Sequence, residues 1–176
     1  MLKILPTDTC YGLAWDFTKE DYEAIYEAKW RSNTKQLAFL VADFPDMKKY
    51  VAITDEQIEF LKNYPHPWSF LGKRSEHFNL PEWMEKEKYE KISLRVAKVF
   101  TLHYELQMKN EKYPLFLTSA NLSWEPESKT LEQAKKVFPW VEWIDGGICD
   151  RPPSDIFSIN EHGELEYLRR NYWLNK

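Results

Sequence analysis

Leu5-Pro6-Thr7-Asp8-Thr9-Cys10-Tyr11-Gly12-Leu13 places two threonine hydroxyls, a carboxylate and a phenol on one turn, directly after an apolar start (Leu2, Ile4). Read as a strand-to-helix turn closed by glycine, it would present hydroxyls and backbone N–H groups at the C-terminal end of a strand, where open α/β folds bind ligands. The same residues also read as a plain capped turn, with Asp8 or Thr9 as a helix N-cap. Three more polar groups stand at the ends of strand-like runs: Arg95 in Ile92–Val96, Ser119-Ala120-Asn121 after Leu115–Thr118, and Pro153-Ser154-Asp155 before Ile156. Lys29-Trp30-Arg31 follows a helical stretch. Its two cations either complement the helix dipole or face one common anion. Ser119 has no obvious histidine partner, since His66, His77, His103 and His162 lie in turn-like or helical segments and read as surface residues. The carboxylates show no metal spacing, and no glycine-rich phosphate loop is present. Basic side chains, hydroxyls and an amide remain. They suit the binding of an anionic substrate more than nucleophilic attack.

The elements that must position these groups read as an intermixed series. Lys3–Pro6 is expected to be a short strand. Asp21–Lys29 is expected to be a helix with Tyr22, Ile25, Tyr26 and Lys29 on one face. The apolar run Leu37–Ala42 reads as a buried strand, and Pro45–Tyr50 as a short helix. Asp55–Asn63 reads as a helix capped by Thr54 and stopped by Pro65. Phe70-Leu71 begins a strand, and the charged, Trp- and Met-dotted stretch Ser75–Lys91 covers a surface. Thr101–Lys109 and Thr130–Phe138 read as helices, the second capped near Ser128 or Lys129. Val141–Ile144 reads as a strand ending at Asp145-Gly146-Gly147. Ile156–Ile159 and Glu166–Leu168 form a hairpin turning at Glu161-His162-Gly163. Strands and helices alternate irregularly, which indicates an α/β or α+β domain with a mixed sheet.

The chain has 176 residues, enough for one domain with a real core, and is 43% hydrophobic and 30% charged, as expected of a soluble globular protein. No apolar run approaches the roughly 20 residues that span a bilayer, and no leader pattern opens the chain. Cys10 and Cys149 show no metal spacing and fit a reduced cytoplasm. The net charge of −4 argues against a surface that grips nucleic acid throughout, although Lys29/Arg31/Lys35, Lys73/Arg74 and Arg169/Arg170 are local basic clusters. Eight Trp is many, and five Gly is few, for a chain of this length.

Taken in order, Pro-Thr-Asp-Thr-x-Tyr-Gly-Leu, Lys-x-Arg, an apolar strand, Pro-x-Pro-x-Ser, the strand arginine, Ser-Ala-Asn, Asp-Gly-Gly and Pro-Ser resemble the YrdC/Sua5 family from Leu5 to about Arg170. The resemblance implies a single-domain α/β (α+β) fold, a twisted mixed sheet with flanking helices around a large open cavity. It also implies threonylcarbamoyl-AMP synthase activity, a nucleotidyl transfer that joins L-threonine, bicarbonate and ATP into threonylcarbamoyl-adenylate and pyrophosphate. Mg²⁺ would be carried by the ATP. The product would serve t6A modification of tRNA through downstream threonylcarbamoyl-transferase proteins.

By the same resemblance Lys29, Arg31, Ser119 and Asn121 form the catalytic set. Thr9, Arg95 and Ser154 contact threonine. Lys29, Arg31, Ser69, Ser119, Asn121 and Arg169 contact ATP. A non-enzymatic, RNA-binding member of the same fold is the alternative, and net acidity counts against it. A carbamoyl-adenylating relative from hydrogenase maturation is a third, usually longer and bearing zinc fingers that are absent here.

The chain departs from the family pattern in several places. The strand and helix that usually precede the first motif have no counterpart before Pro6. His66 or Trp68 stands for the glycine of Pro-Gly-Pro, depending on alignment, and only one alignment keeps a hydroxyl, that of Ser69. Leu40 replaces a substrate-contacting histidine of some members. Trp15, Trp30, Trp68 and Trp124 occupy positions where a glycine or small residue is expected. Either these are glycine codons (UGA) translated as tryptophan, or they are true aromatics, crowding the cavity mouth or stacking on adenine.

Overall fold

The computed structural model describes residues 2–32, 34–100 and 112–171. The helix expected over Thr101–Lys109 lies outside these residues. Among the described residues a nine-stranded mixed sheet runs in the order β7-β1-β2-β6-β3-β5-β4-β8-β9. Its strands are β1 (Lys3–Pro6), β2 (Tyr11–Asp16), β3 (Ala38–Val41), β4 (Trp68–Lys73), β5 (Lys91–Val96), β6 (Leu115–Ser119), β7 (Glu142–Trp143), β8 (Asp155–Ile159) and β9 (Leu165–Arg169). The helices are α1 (Lys19–Ala28), α2 (Met47–Tyr50), α3 (Asp55–Asn63) and α4 (Leu131–Val137).

Local signals account for the helices. Thr54 and Thr130 each close a capping box, with Gln57 and Gln133 reaching back to the cap backbone. Thr130 is therefore the cap of α4, one residue after the pair expected from the sequence. Thr18 caps α1 by accepting from the Asp21 N–H. Tyr22, Ile25 and Tyr26 fall at helical spacing on its buried face.

Successive side chains of a strand point to opposite faces, so neighbouring residues enter different cores. Ile4, Leu13, Trp15, Phe39, Val41 and Phe116 join the larger core together with Tyr22 and Ile25 of α1, Ile58 and Leu61 of α3, and Ala134 of α4. Their strand neighbours Leu5, Ala14, Leu40, Leu115 and Leu117 pack instead with Ala97, Phe100 and Ile144. The helices thus cover one face of the sheet. The stretch 75–91 adds Phe78, Leu80, Trp83, Met84 and Tyr89 to that larger core, so it buries apolar side chains as well as covering a surface.

The first motif differs from the expectation. It is not a strand-to-helix turn, and neither Asp8 nor Thr9 caps a helix. Residues 7–10 link β1 to β2 in an antiparallel hairpin, with Pro6 opposite Tyr11. Thr7 ties this loop: its hydroxyl donates to the Cys10 carbonyl (2.7 Å) and accepts from the Thr9 and Cys10 N–H groups. The helix begins only at Lys19. The reason is long-range, because β2 pairs with β6 over Gly12–Asp16 and no local pattern announces that partner. Gly146 shows why a small residue follows Asp145: a Cβ there would sit 2.2 Å from Pro6 Cγ.

The four tryptophans at positions expected to be small fall into two pairs. Trp15 and Trp68 are buried in the larger core and do not crowd a cavity mouth. Trp30 and Trp124 are 76% and 65% exposed, their rings 6.4 Å apart and nearly perpendicular. Trp30 has φ 50°, alone among the described non-glycine residues in having positive φ. The cause is a Schellman ending of α1: the Trp30 N–H bonds the Glu27 carbonyl (3.0 Å) and the Arg31 N–H bonds the Tyr26 carbonyl (2.9 Å). That ending places Trp30 at the left-handed position where glycine is ordinarily found. A side chain there costs of the order of 1–2 kcal/mol. Trp30→Gly should therefore raise stability by about 1 kcal/mol after loss of the ring contact with Trp124, measured by urea unfolding. A destabilised variant would show that the ring contact outweighs the backbone strain.

Candidate active site

The sheet face opposite the helices carries the site. Register alone places much of it: Gly12 lies opposite Ser119, Ala38 opposite Leu117, and Ser69 opposite Ile156, which lies opposite Arg169. Ser93 and Arg95 share a face of β5. All of these line one cavity of about 200 Å³, joined by Thr7, Thr9, Cys10, Arg31, Gln36, Thr118, Glu127 and Ser154. The cavity therefore spreads across the uncovered face of the sheet, not only along strand ends.

The left-handed turn at Trp30 reverses the chain so that Lys29 and Arg31 both reach β6. Arg31 donates to Thr118 Oγ1 (3.3 Å) and to the Gln36 carbonyl (2.9 Å). Arg95 pairs with Asp8, and its guanidinium lies 5.0 Å from the Phe100 ring centroid. Arg169 donates to the Ser154 carbonyl (2.9 Å) and to Ser154 Oγ (3.1 Å), which is 3.2 Å from Ser69 Oγ. The Nε atoms of Arg31 and Arg95 are buried without a hydrogen-bond partner among the described residues. Burial lowers the pKa of Arg31 and Arg169 below the ordinary guanidinium value, and the Arg95 charge adds to the effect on Arg169.

Lys29 stands apart. It is only 1% exposed and lies behind the cavity wall. Its ammonium donates to the Ser119 carbonyl and to Asn121 Oδ1 (3.4 Å), while Asn121 Nδ2 donates to the Glu125 carbonyl (2.6 Å). Burial, reinforced by the Arg31 charge, lowers the Lys29 pKa to about 7. Of the residues expected to act, Thr9, Arg31, Ser69, Arg95, Ser119, Ser154 and Arg169 come together on the cavity wall. Lys29 and Asn121 instead brace the Ser119 segment from behind.

Other contributions in or beside the cavity were harder to see in the sequence. Ser93 had a usable signal, since it lies two residues before Arg95 and so shares its face. Asp8 was visible in the motif, but its pairing with Arg95 spans 87 positions. Glu127 and Lys129 lie in a loop with no periodicity. Lys129 nevertheless joins three segments, donating to the carbonyls of Thr9 (2.8 Å) and Arg151 (3.0 Å) and lying 3.6 Å from Glu127. No group of three His, Cys, Asp or Glu suited to a metal occurs among the described residues.

A family model named for Sua5, YciO and YrdC, and described as "Telomere recombination", matches residues 2–171. A threonylcarbamoyl-AMP synthase of Bos taurus is 31% identical over 146 residues, covering 81% of this chain and 51% of its own length. The chain thus spans about half of that relative. A threonylcarbamoyl-AMP synthase of Yersinia enterocolitica is 29% identical, with 86% of this chain and 80% of that protein covered. The crystal structure of P. abyssi Sua5 complexed with L-threonine superposes with a TM-score of 0.75 at 24% identity, over 96% of this chain and 49% of that one.

The buried ammonium gives a pH signature. Unfolded, Lys29 keeps its proton to its ordinary 10.5; folded, it releases it near 7. Between these values the unfolded state binds more protons, so this group makes stability rise with pH. Cys10, raised by burial to about 11 from 9.0, opposes the rise only above pH 9. From pH 7 to 9 the unfolding free energy should climb by about 2 kcal/mol on account of Lys29, and Lys29→Met should lack that climb in chemical denaturation. Equal slopes in both proteins would contradict the assignment.

Proposed function

The chain belongs to the Sua5–YciO–YrdC family, and on that footing we propose that it is a threonylcarbamoyl-AMP synthase. It would convert L-threonine, bicarbonate and ATP into threonylcarbamoyl-adenylate and pyrophosphate. The observation that carries the reading is the convergence of Arg31, Arg95 and Arg169 with the hydroxyls of Thr9, Ser69 and Ser154 on one cavity. The relatives' names and the threonine-bound Sua5 support the choice of substrates.

The chemistry asks for such a wall. The threonine nitrogen adds to bicarbonate carbon, and the adduct loses a proton from nitrogen and an oxygen as water, leaving a carbamate. A carbamate oxygen then attacks the α-phosphorus of ATP, and the bond to the β-phosphate bridging oxygen breaks to release pyrophosphate. Every encounter brings anions together, so rate comes from charge neutralisation and alignment without a covalent nucleophile. Arg31 and Arg169 would hold the phosphates, with Ser69 and Ser119 beside them. Arg95, fixed by Asp8, would hold the threonine carboxylate with Thr9 and Ser154. Lys29 and Asn121 act by keeping the Ser119 segment in place. Mg²⁺ would arrive on the triphosphate oxygens, consistent with that ion's habit of keeping phosphate and water ligands. The product would pass to threonylcarbamoyl-transferase proteins and reach tRNA. Free Cys10 and Cys149 support a cytoplasmic setting, and no helix among the described residues is long and apolar enough to cross a membrane.

Pyrophosphate release in the presence of ATP and bicarbonate should depend on L-threonine. Arg31→Ala should lower it by a factor on the order of 10²–10³ while the far-UV circular dichroism stays unchanged. A well-folded wild-type sample with no threonine-dependent release would overturn the reading.

A further inference from the structure

Three guanidinium groups suit a triphosphate and a carboxylate, but Glu127 also lines this cavity and is its one carboxylate among the described lining residues. A negative charge there repels the nucleotide, so a cationic ligand group is the natural occupant beside it. Its side chain is 26% exposed and accepts no hydrogen bond among the described residues; its ionic neighbour Lys129 stands 3.6 Å away and spends its hydrogen bonds on the carbonyls of Thr9 and Arg151. Glu127 therefore keeps open acceptor capacity beside the Thr9 loop. Asp8 is not a rival, because Arg95 takes its charge. The Glu127 charge partly offsets the lowering that burial imposes on Lys29 and Arg169.

Resting on the function proposed above, we propose that Glu127 receives the α-ammonium of the amino-acid substrate and so selects a zwitterion over a plain hydroxy acid. Arg95 would take the carboxylate, and the two charges would fix the amino acid between the β1–β2 loop and the loop after β6. An ammonium–carboxylate contact is charge-assisted and directional, so its loss should be felt in affinity for that one ligand.

Calorimetric titration of the whole chain tests this with three probes: L-threonine, 3-hydroxybutyrate (the analogue without the amino group) and Mg-ATP. Wild type should bind L-threonine at least about tenfold more tightly than the analogue. Glu127→Gln should lose that discrimination while binding Mg-ATP as well as wild type or better. Glu127→Asp should recover part of it. Lys129→Met, which removes the ionic neighbour and leaves the carboxylate, should keep it. The assignment is overturned if Glu127→Gln still discriminates, if both ligands weaken equally (a structural role), or if Mg-ATP binding is what falls (a metal-holding role). Wild type that binds ATP but not L-threonine would overturn both this assignment and the choice of substrate beneath it.

Discussion

Mutual repulsion among like charges is the constraint around which this molecule is arranged. Arg31, Arg95 and Arg169 face one cavity, and Lys29 lies directly behind its wall. Side chains of one sign do not gather in a partly dry space unless each is held there. Each has its own tether: Thr118 and the Gln36 carbonyl for Arg31, Asp8 for Arg95, Ser154 for Arg169, and the Ser119 carbonyl with Asn121 for Lys29. Most of these tethers are neutral oxygens, which orient a cation without cancelling its charge. Three guanidinium groups against the carboxylates of Asp8 and Glu127 leave the cavity with an excess of positive charge, and an anionic ligand relieves it.

The fold supplies the tethers by simple geometry. Alternation along the strands sends Ile4, Leu13, Phe39 and Phe116 toward the helices and Ser69, Ser93, Arg95 and Ser119 to the other side, and the register shift between Ile156 and Phe157 brings Arg169 there as well. Two irregular features finish the wall. The hairpin loop 7–10, tied by Thr7, delivers Asp8 to Arg95. The Schellman ending of α1 turns Lys29 and Arg31 toward β6. That ending forces a left-handed backbone on Trp30, so stability is given up locally where the site needs the chain to turn.

What could be read in advance follows the range of the interactions involved. The helix Asp55–Asn63 has its cap and its stop in the residues that flank it, Thr54 and Pro65, and it forms with those bounds. The C-terminal hairpin likewise turns where Gly163 permits positive φ. β2 was missed because its identity as a strand depends on pairing with Ser119 and its neighbours, far along the chain. The grouping of Thr9, Arg31, Arg95, Ser119, Ser154 and Arg169 was legible because motifs preserve residue types and order. Their division into a cavity wall and a supporting layer was not, since whether Lys29 points into the cavity or behind Ser119 is decided by the turn at Trp30. Glu127 carried no local signal at all; the packing of its loop brings it to the site, with Ser128 bonded to Tyr11 and Ala120 and Lys129 to the Thr9 carbonyl.

The claim that a cavity with excess positive charge organises the molecule is tested most directly with an anion that has no base, sugar or amino acid attached. Inorganic tripolyphosphate titrated calorimetrically into the protein should bind at one site, weaken steeply as salt is raised, and weaken at least about tenfold in Arg169→Met. Binding that is absent, insensitive to salt, or equal in the two proteins would contradict the account.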